Sequence, residues 1–269
     1  MSQLNKNYQK KIGLALSSGG LKGFAHIGVI KILEQNHIPI DFIAGSSIGS
    51  LVGGIYAANK DIKQLEEIVL EADFKKTFGF LDPIIKKGLL KGQKIKQFIN
   101  QYLAHKDFKD LKIPLAIVAT NLKTGEIEVI KDGNLASAIR ASISIPVIFQ
   151  PVRRDEKLLI DGGLTMPIPV NVLKSMGADI VIAVNLYNYP KYLKRHSKIK
   201  MAKIGSETAK IMIYQLAKRD LEKAEVIIEP DINIYGLINL IKHRKKIMRL
   251  GEEATQSKIS LIKKLIAKD

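Results

Sequence analysis

Two glycine-containing turns, each set between a short apolar run and a helical pattern, organise the first 60 residues of this chain. The apolar run Ile12–Ser17 leads through the first turn into a helical pattern over Phe24–Glu34. A second run, Asp41–Gly45, leads through the second turn into a small-residue helix over Ile48–Asn59. Alternation of strand and helix at this spacing is typical of a parallel sheet covered by helices. The sequence therefore predicts an α/β fold in a single domain, with a mainly parallel central sheet and helices on both of its faces.

The rest of the chain continues this alternation. Apolar residues at helical spacing predict an amphipathic helix over Gly92–Ala104, and Pro114–Thr120 with Glu126–Ile130 predict a hairpin. Additional strands are expected at Lys157–Ile160, Asp179–Leu186 and Val226–Glu229, and additional helices at Met201–Leu221 and Glu252–Lys264. Because there is no internal repeat and no low-complexity linker, residues 1–269 are expected to form one domain. Residues 11–186 of it carry the motifs, and residues 191–269 form a basic helical part.

The absence of cysteine limits the kinds of catalytic and metal site that the chain can form, and the absence of long apolar runs limits where in the cell the protein is expected. Without cysteine, disulfides, thiolate zinc sites and a cysteine nucleophile are excluded, and a reducing compartment is suitable. The apolar stretch after the basic N-terminal segment breaks within a few residues, so no signal peptide is expected. No apolar run reaches the ~18 residues that span a bilayer. We therefore expect a cytoplasmic protein that associates at most peripherally with the inner membrane surface.

The chain is strongly basic, with a net charge of +17, and the excess lies towards the C-terminus. Residues 191–269 hold 19 Lys and Arg against 9 Asp and Glu, concentrated in Lys191–Lys203 and in the segment from Lys242 to Arg249. Apolar residues flank the second cluster, as in helices that lie on anionic headgroups, although a helix with a solvated basic face gives the same pattern. Aromatic residues make up only 6% and tryptophan is absent, so no nucleic-acid partner is expected.

The second glycine turn contains a candidate nucleophile. Gly45-Ser46-Ser47-Ile48-Gly49 matches G-x-S-x-G, in which the glycines let a strand turn sharply into a helix and lift the central hydroxyl above the sheet edge. The positive end of the following helix favours an attacking or ionised serine. We therefore expect Ser47 to be a nucleophile in an elbow formed with Gly45 and Gly49.

A serine nucleophile needs a base that takes its proton, and the sequence offers two kinds. Asp161 follows an apolar run and precedes Gly162 and Gly163, so a tight turn at the end of a strand can present its carboxylate. In the order Ser, Asp, His, a triad with His196 or His243 is also possible. Both histidines lie in lysine-rich polar segments, and the serine follows only the second strand of the chain, which is early for such a triad. These two observations favour the carboxylate.

The first glycine turn, Ser17–Gly23, suits the stabilisation of negative charge. It lacks the first glycine of the dinucleotide-binding fingerprint and the Gly-Lys-Ser/Thr ending of a phosphate-binding loop. The N–H groups of Gly19 and Gly20, at the start of a helix, can donate to a developing oxyanion. Loops that follow neighbouring parallel strands meet at the carboxyl edge of the sheet. We therefore expect this loop to lie near Ser47.

Taken together, these motifs resemble the patatin-like phospholipases. The resemblance rests on Ser-Gly-Gly-Leu-Lys-Gly near the N-terminus, Gly-x-Ser-x-Gly about 25 residues later and Asp-Gly-Gly after a long gap. Three further segments, Gly23–Val29, Gly88–Gly92 and Ile139–Pro146, extend it over roughly Lys11–Leu186. Two positions depart from the family pattern: Ser18 replaces a glycine, and Lys22 replaces the usual arginine, which loses a bidentate donor.

The resemblance implies a function and roles for these residues. Ser47 and Asp161 would form a catalytic dyad without histidine, and Gly19, Gly20 and Lys22 would form the oxyanion hole. The substrates would be lipid or other fatty-acyl esters, hydrolysed through an acyl-enzyme without a cofactor or a metal.

Two other functions are compatible with the same motifs. One is acyl transfer to an alcohol or a carrier, and the other is a non-catalytic, peripheral membrane-binding regulatory role. An apolar groove for acyl chains is expected from Phe78–Leu81 and Ile84–Leu90, although ordinary core packing would explain these segments equally well.

Overall fold

A computed structural model describes residues 9–71, 93–103, 106–187, 204–232, 234 and 237–268. An eight-stranded sheet passes through them. Its strands are β1 Ile12–Leu16, β2 Phe42–Ser46, β3 Leu115–Asn121, β4 Ile127–Ile130, β5 Val152–Arg154, β6 Lys157–Asp161, β7 Ile180–Val184 and β8 Val226–Ile228. The α-helices are α1 Phe24–Gln35, α2 Ile48–Asn59, α3 Ile62–Glu71, α4 Gln93–Leu103, α5 Leu135–Ser142, α6 Val170–Ser175, α7 Ile204–Asp220, α8 Leu237–Lys242, α9 Arg244–Gln256 and α10 Ile259–Ala267.

The sheet has a parallel part and an antiparallel part. β3, β2, β1, β7 and β8 lie side by side in that order, and each pair of neighbours is parallel. β6 continues beyond β3 in the antiparallel sense and pairs with β5, and β4 also pairs with β3 antiparallel. The carboxyl ends of β1 and β2 are therefore neighbours, so the two glycine turns lie at one edge of the sheet.

Side chains of the parallel strands alternate between the two faces, and helices cover both. Large side chains such as Leu14 and Ile43 belong to the main core, with α1, α2 and α9. On the other face, small side chains such as Ala15 and Ala44 pack with Leu173 of α6. Burial on both faces explains why the strands read as nearly continuous apolar runs. The expected α/β fold, with a mostly parallel sheet between helices, is confirmed.

The predicted elements agree with the structure to within two residues at each described end, with one exception. The single helix predicted over Glu252–Lys264 is wrong, because the chain turns at Ser257 and Lys258 and forms parts of α9 and α10 instead. This turn lets Ile259 and Ile262 pack into the main core. The sequence patterns also do not predict α3, α5, α6 and β5, most of which are short.

Some sequence predictions concern residues that the structure does not describe. These are the groove segments Phe78–Leu81 and Ile84–Leu90, the basic cluster Lys191–Lys203, and His196 within that cluster.

Candidate active site

Ser47 lies in a sharp turn between β2 and α2, with a positive φ of 51° that is uncommon for a residue with a side chain. Its flanking glycines are required by close packing. A Cβ atom at Gly45 would lie 2.5 Å from the carbonyl oxygen of Gly49, and one at Gly49 would lie 2.1 Å from that of Leu16. The turn therefore holds the Ser47 side chain at the carboxyl edge of the sheet and at the positive end of α2.

The Ser47 hydroxyl donates a hydrogen bond of 2.6 Å to Oδ2 of Asp161. β6 brings the carboxylate here from the antiparallel side, because Asp161 is its last residue and lies opposite Ala119, one residue beyond the end of the β2–β3 pairing. The next residue must be glycine, since a Cβ atom at Gly162 would lie 2.1 Å from the Val118 carbonyl oxygen. The structure thus brings together the serine and the aspartate that the motifs single out.

Residues at and just after the end of α5 hold this pair in place. The Ser47 N–H donates to Oγ of Ser142 at 2.8 Å, and that hydroxyl donates to the Val118 carbonyl at 2.6 Å. The Asp161 N–H donates to the Ser144 carbonyl at 3.0 Å. One short segment, which also carries part of the family resemblance, therefore contacts both members of the pair.

The pair is shielded from solvent, with Ser47 5% exposed and Asp161 7% exposed. Loss of hydration of the charged form raises the pKa of Asp161 to about 6, although the hydrogen bonds from the Ser47 hydroxyl and the Gly163 N–H offset part of the effect. At neutral pH the carboxylate is ionised, and it can accept the proton of the hydroxyl that already points at it.

The glycine loop lies against the start of α2. Gly19 and Gly20 have φ values of 151° and 59°, which glycine adopts readily. A 3-10 turn over Gly20–Gly23 packs so closely on α2 that a Cβ atom at Gly23 would lie 2.3 Å from the Ile48 side chain. A Cβ atom at Gly20 would meet nothing within 4 Å. The loop therefore leads into α1 beside the serine turn, and the space on the Cβ side of Gly20 is open.

Lys22, the third residue expected to stabilise negative charge, is half-buried in this loop. Burial, together with the positive charge of Lys210 on α7, lowers its pKa. Lys210 forms an ion pair of 2.7 Å with Glu207. A poorly hydrated ammonium such as that of Lys22 gains from an approaching anion, which suits it to an oxyanion or a phosphate.

Ser18, which stands where the family pattern has glycine, forms a hydrogen bond with the Tyr187 hydroxyl. Its N–H donates to the Pro167 carbonyl at 2.9 Å. A Cβ atom at Gly163 would lie 2.5 Å from Oγ of Ser18 and 3.0 Å from Oδ1 of Asp161, so the Ser18 hydroxyl is close to the carboxylate. Burial, aided by the negative charge of Asp161, raises the pKa of Tyr187 and keeps it neutral. No motif in the sequence singles out Tyr187, whose only signal is its position just after β7.

The described histidines make contacts away from the serine hydroxyl. His26 is fully buried on α1, its Nε2 lies 2.8 Å from the Ser17 carbonyl, and burial lowers its pKa to about 4. His243, one of the two triad candidates, precedes α9, and its Nδ1 lies 2.9 Å from the Asn239 carbonyl. The hydrogen-bond partner of the serine hydroxyl is therefore a carboxylate.

The basic segment from Lys242 to Arg249 spans the end of α8 and the first half of α9. Its apolar side packs inside the protein, because Ile247 and Met248 are buried. α9 also crosses α1 so closely that a Cβ atom at Gly28 would lie 2.0 Å from the Met248 carbonyl oxygen. The lysines of the segment are exposed. Only the basic side of this helix is therefore free to meet a charged surface.

The described helices include none that combines the length and the apolar character needed to cross a bilayer. In the same part of the chain, no three His, Asp or Glu side chains are grouped as metal ligands.

Comparison with known proteins adds family relationships to this geometry. The family model described as patatin-like phospholipase matches residues 14–174. An uncharacterised NTE family protein of Mycobacterium tuberculosis is 38% identical over 177 residues, which cover 65% of this chain and 49% of that protein. Patatin-like phospholipase domain-containing protein 6 of Homo sapiens is 32% identical over 182 residues, covering 65% of this chain and 13% of that protein. Lysophospholipase NTE1 of Yarrowia lipolytica is 32% identical over 184 residues, covering 65% and 12%. The chain thus spans about half the length of the first relative and far less of the other two.

Two solved structures share the fold at low sequence identity. VipD from Legionella pneumophila superposes with a TM-score of 0.58 at 14% identity, covering 94% of this chain and 67% of that one. The type III effector protein ExoU superposes with a TM-score of 0.50 at 13% identity, covering 94% and 53%. The family match includes both Ser47 and Asp161, whereas α7 to α10 lie beyond it.

Proposed function

This chain belongs to the patatin-like phospholipase family, and we propose that it is a serine lipid acyl hydrolase in which Ser47 and Asp161 form the catalytic dyad. The proposed substrates are carboxylic esters of lipids: phospholipids, lysophospholipids or other fatty-acyl esters. The observation that carries the proposal is the 2.6 Å hydrogen bond from the Ser47 hydroxyl to Asp161, made from a strained elbow at a helix N-terminus.

In the first half of the reaction, Asp161 accepts the hydroxyl proton while Ser47 Oγ bonds to the ester carbonyl carbon. The carbonyl oxygen becomes an oxyanion, which the N–H groups of Gly19 and Gly20 and the ammonium of Lys22 would stabilise. When the tetrahedral intermediate collapses, the ester C–O bond breaks and the alcohol leaves with the proton held by Asp161. The fatty-acyl group then remains on Ser47 as an ester.

In the second half, water takes the place of the alcohol. Asp161 accepts a proton from the water, whose oxygen bonds to the acyl carbon, and the same loop stabilises the second oxyanion. Collapse returns the proton to Ser47 and releases the fatty acid. The pKa of about 6 suits both halves, because Asp161 is ionised at neutral pH and yet basic enough to hold a proton transiently.

We further propose that the exposed lysines between Lys242 and Arg249 contact anionic headgroups, so that the protein works peripherally on a membrane. Such contacts contribute roughly 1 kcal/mol per basic residue and weaken as salt increases. Vesicles with anionic headgroups should bind much more of the protein than neutral vesicles at low salt. Equal binding to anionic and neutral vesicles would contradict the proposed contact between these lysines and the headgroups.

The catalytic proposal is tested by comparing the wild type with Ser47→Ala across phosphatidylcholine, lysophosphatidylcholine, triacylglycerol and p-nitrophenyl butyrate. Ser46→Ala is the matched control, because the neighbouring Ser46 hydroxyl is buried and has no hydrogen-bond partner among the described residues. We expect Ser47→Ala to lose hydrolysis and labelling by a fluorophosphonate probe, and Ser46→Ala to keep both. A folded wild-type protein that neither hydrolyses these esters nor is labelled would overturn the proposal.

A further inference from the structure

The turn Ile145–Ile148 carries an exposed apolar residue in a backbone conformation that its side chain disfavours. The Ile148 N–H donates to the Ile145 carbonyl at 3.2 Å, and Pro146 holds the first central position. Val147, at the second central position, has a φ of 70°. Type II turns require a positive φ there and favour glycine or asparagine, so a β-branched residue is an outlier.

Contacts within the described part of the chain do not account for this valine. Its side chain is 78% exposed, more than any other large hydrophobic residue described. The surroundings along the chain are also uncharged, because the 12 residues from Ala141 to Val152 include no charged residue in a chain where 26% are charged. An apolar side chain is thus held outward at a conformational cost, and strain of this kind concentrates at functional sites.

The turn grows directly from the wall of the candidate active site. Ser142, three residues before it, accepts a hydrogen bond from the N–H of the nucleophile, and Ser144, just before it, accepts one from the N–H of Asp161. Val147 follows Ser144 by three residues. Leu164, three residues after Asp161 along the chain, is a second exposed apolar side chain, with 37% of its surface exposed. The exposed apolar tip therefore lies at the rim of the site that holds the dyad.

We propose that this turn is a lipid-contact site, in which Val147 inserts into the acyl layer of an aggregated lipid substrate and so docks the rim of the active site onto it. The inference rests on the proposed function for the identity of the lipid, and it goes beyond that function by assigning the residue that meets the lipid surface. The uncharged tip suits the acyl layer, whereas the lysines of α8 and α9 suit the headgroups. The side chain of Val147 is 78% exposed at this turn position, so it is available to lipid.

Tryptophan is absent from this chain, so a single introduced tryptophan reports its own surroundings. In the Val147→Trp protein, vesicles of phosphatidylcholine and phosphatidylglycerol should shift the fluorescence emission to the blue, and brominated lipids should quench it. Leu261→Trp is the control, because Leu261 is 43% exposed on α10. That helix lies near the amino end of β1, where Lys10 donates to the Leu265 carbonyl. The candidate active site lies at the carboxyl ends of the strands. The control should show neither change.

The Val147→Gly variant distinguishes a loss of lipid insertion from a loss of folding stability. Glycine satisfies the positive φ, so this variant should unfold at the same or a higher denaturant concentration than the wild type, while its affinity for the vesicles falls about ten-fold because the valine side chain is lost. Hydrolysis of vesicular phosphatidylcholine should fall with it, and hydrolysis of soluble p-nitrophenyl butyrate should not.

The outcomes distinguish the two proposals. If the fluorescence shift and quenching appear while no ester is hydrolysed, the lipid contact stands and the catalytic proposal fails. The lipid contact is overturned if Val147→Trp responds no more than Leu261→Trp, if the protein does not bind the vesicles, or if Val147→Gly binds them as tightly as the wild type.

Discussion

Replacing Asp161 with asparagine should remove the activity of the protein and at the same time stabilise its fold at neutral and alkaline pH. The pKa of this buried carboxyl rises from 3.8 to about 6 in the folded state. A difference of about two pKa units corresponds to about 3 kcal/mol of differential free energy between the two protonation states. Because Asp161 is buried, solvent does not screen this cost, and asparagine, which stays neutral, avoids it.

The direction in which wild-type stability changes with pH follows from proton binding to Asp161. Between about pH 4 and pH 6 the folded state holds the Asp161 proton more tightly than the unfolded state does, so the stability of the wild type falls as the pH rises through this range. The free-energy cost of burying the ionised Asp161 carboxylate is fully present above about pH 6 and absent below about pH 4. Asparagine can still accept from the Gly163 N–H and can donate to Ser47, so the contacts around the dyad are largely preserved.

Urea unfolding of the wild type and Asp161→Asn at about pH 8 and about pH 4 measures the difference. We expect the variant to be more stable by about 3 kcal/mol at the higher pH and nearly equal at the lower pH. The titration of buried His26 cancels, because both proteins contain it. A variant that is less stable at pH 8, or a difference that does not depend on pH, would refute the claim that a desolvated carboxylate lies beside Ser47.

Three further substitutions follow from the same contacts. Gly162→Ala places a Cβ atom 2.1 Å from a carbonyl oxygen of β3, so it should lower the unfolding free energy by at least about 2 kcal/mol, as measured by urea denaturation. Ser142→Ala leaves the buried N–H of Ser47 without an acceptor, which should cost about 1–3 kcal/mol in the same assay and lower kcat for ester hydrolysis. Tyr187→Phe removes the hydrogen bond to Ser18, which should cost about 1 kcal/mol and lower kcat several-fold with little change in KM, because Ser18 leads into the glycine loop. Unchanged stability would contradict the first two, and unchanged kcat the third.

The elements that the sequence predicts well are those that local patterns specify. The serine turn needs only a strand, two glycines and a helix within a few residues, and the structure contains this arrangement around Ser47. Asp161 is 114 residues away. The sequence indicates it because a tight turn of two glycines after an apolar run can present the carboxylate at the sheet edge, and because the family resemblance includes the same Asp-Gly-Gly segment. The direction of β6 carries no local signal, so its antiparallel approach emerges only from the pairing of strands.

Other features depend on contacts between distant residues, for which no periodicity exists. Ser142 and Tyr187 support the site through single hydrogen bonds to residues far away in the sequence, and neither belongs to a motif with a stated mechanism. The basic segment from Lys242 to Arg249 illustrates a second limit. A helix packed on the core and a helix lying on a membrane show the same amphipathic pattern, and only the burial of Ile247 and Met248 distinguishes them.

The central claim is that Asp161, without a histidine, activates Ser47. The direct measurement is the rate at which a fluorophosphonate modifies Ser47 as a function of pH, followed by intact mass in the wild type, Asp161→Asn, His196→Ala and His243→Ala. The wild-type rate should rise with pH to a plateau with a midpoint near pH 6, and Asp161→Asn should react about 10²–10⁴-fold more slowly without that midpoint. Both histidine variants should follow the wild-type curve. Near-normal modification of Asp161→Asn, together with loss of modification in either histidine variant, would contradict the dyad.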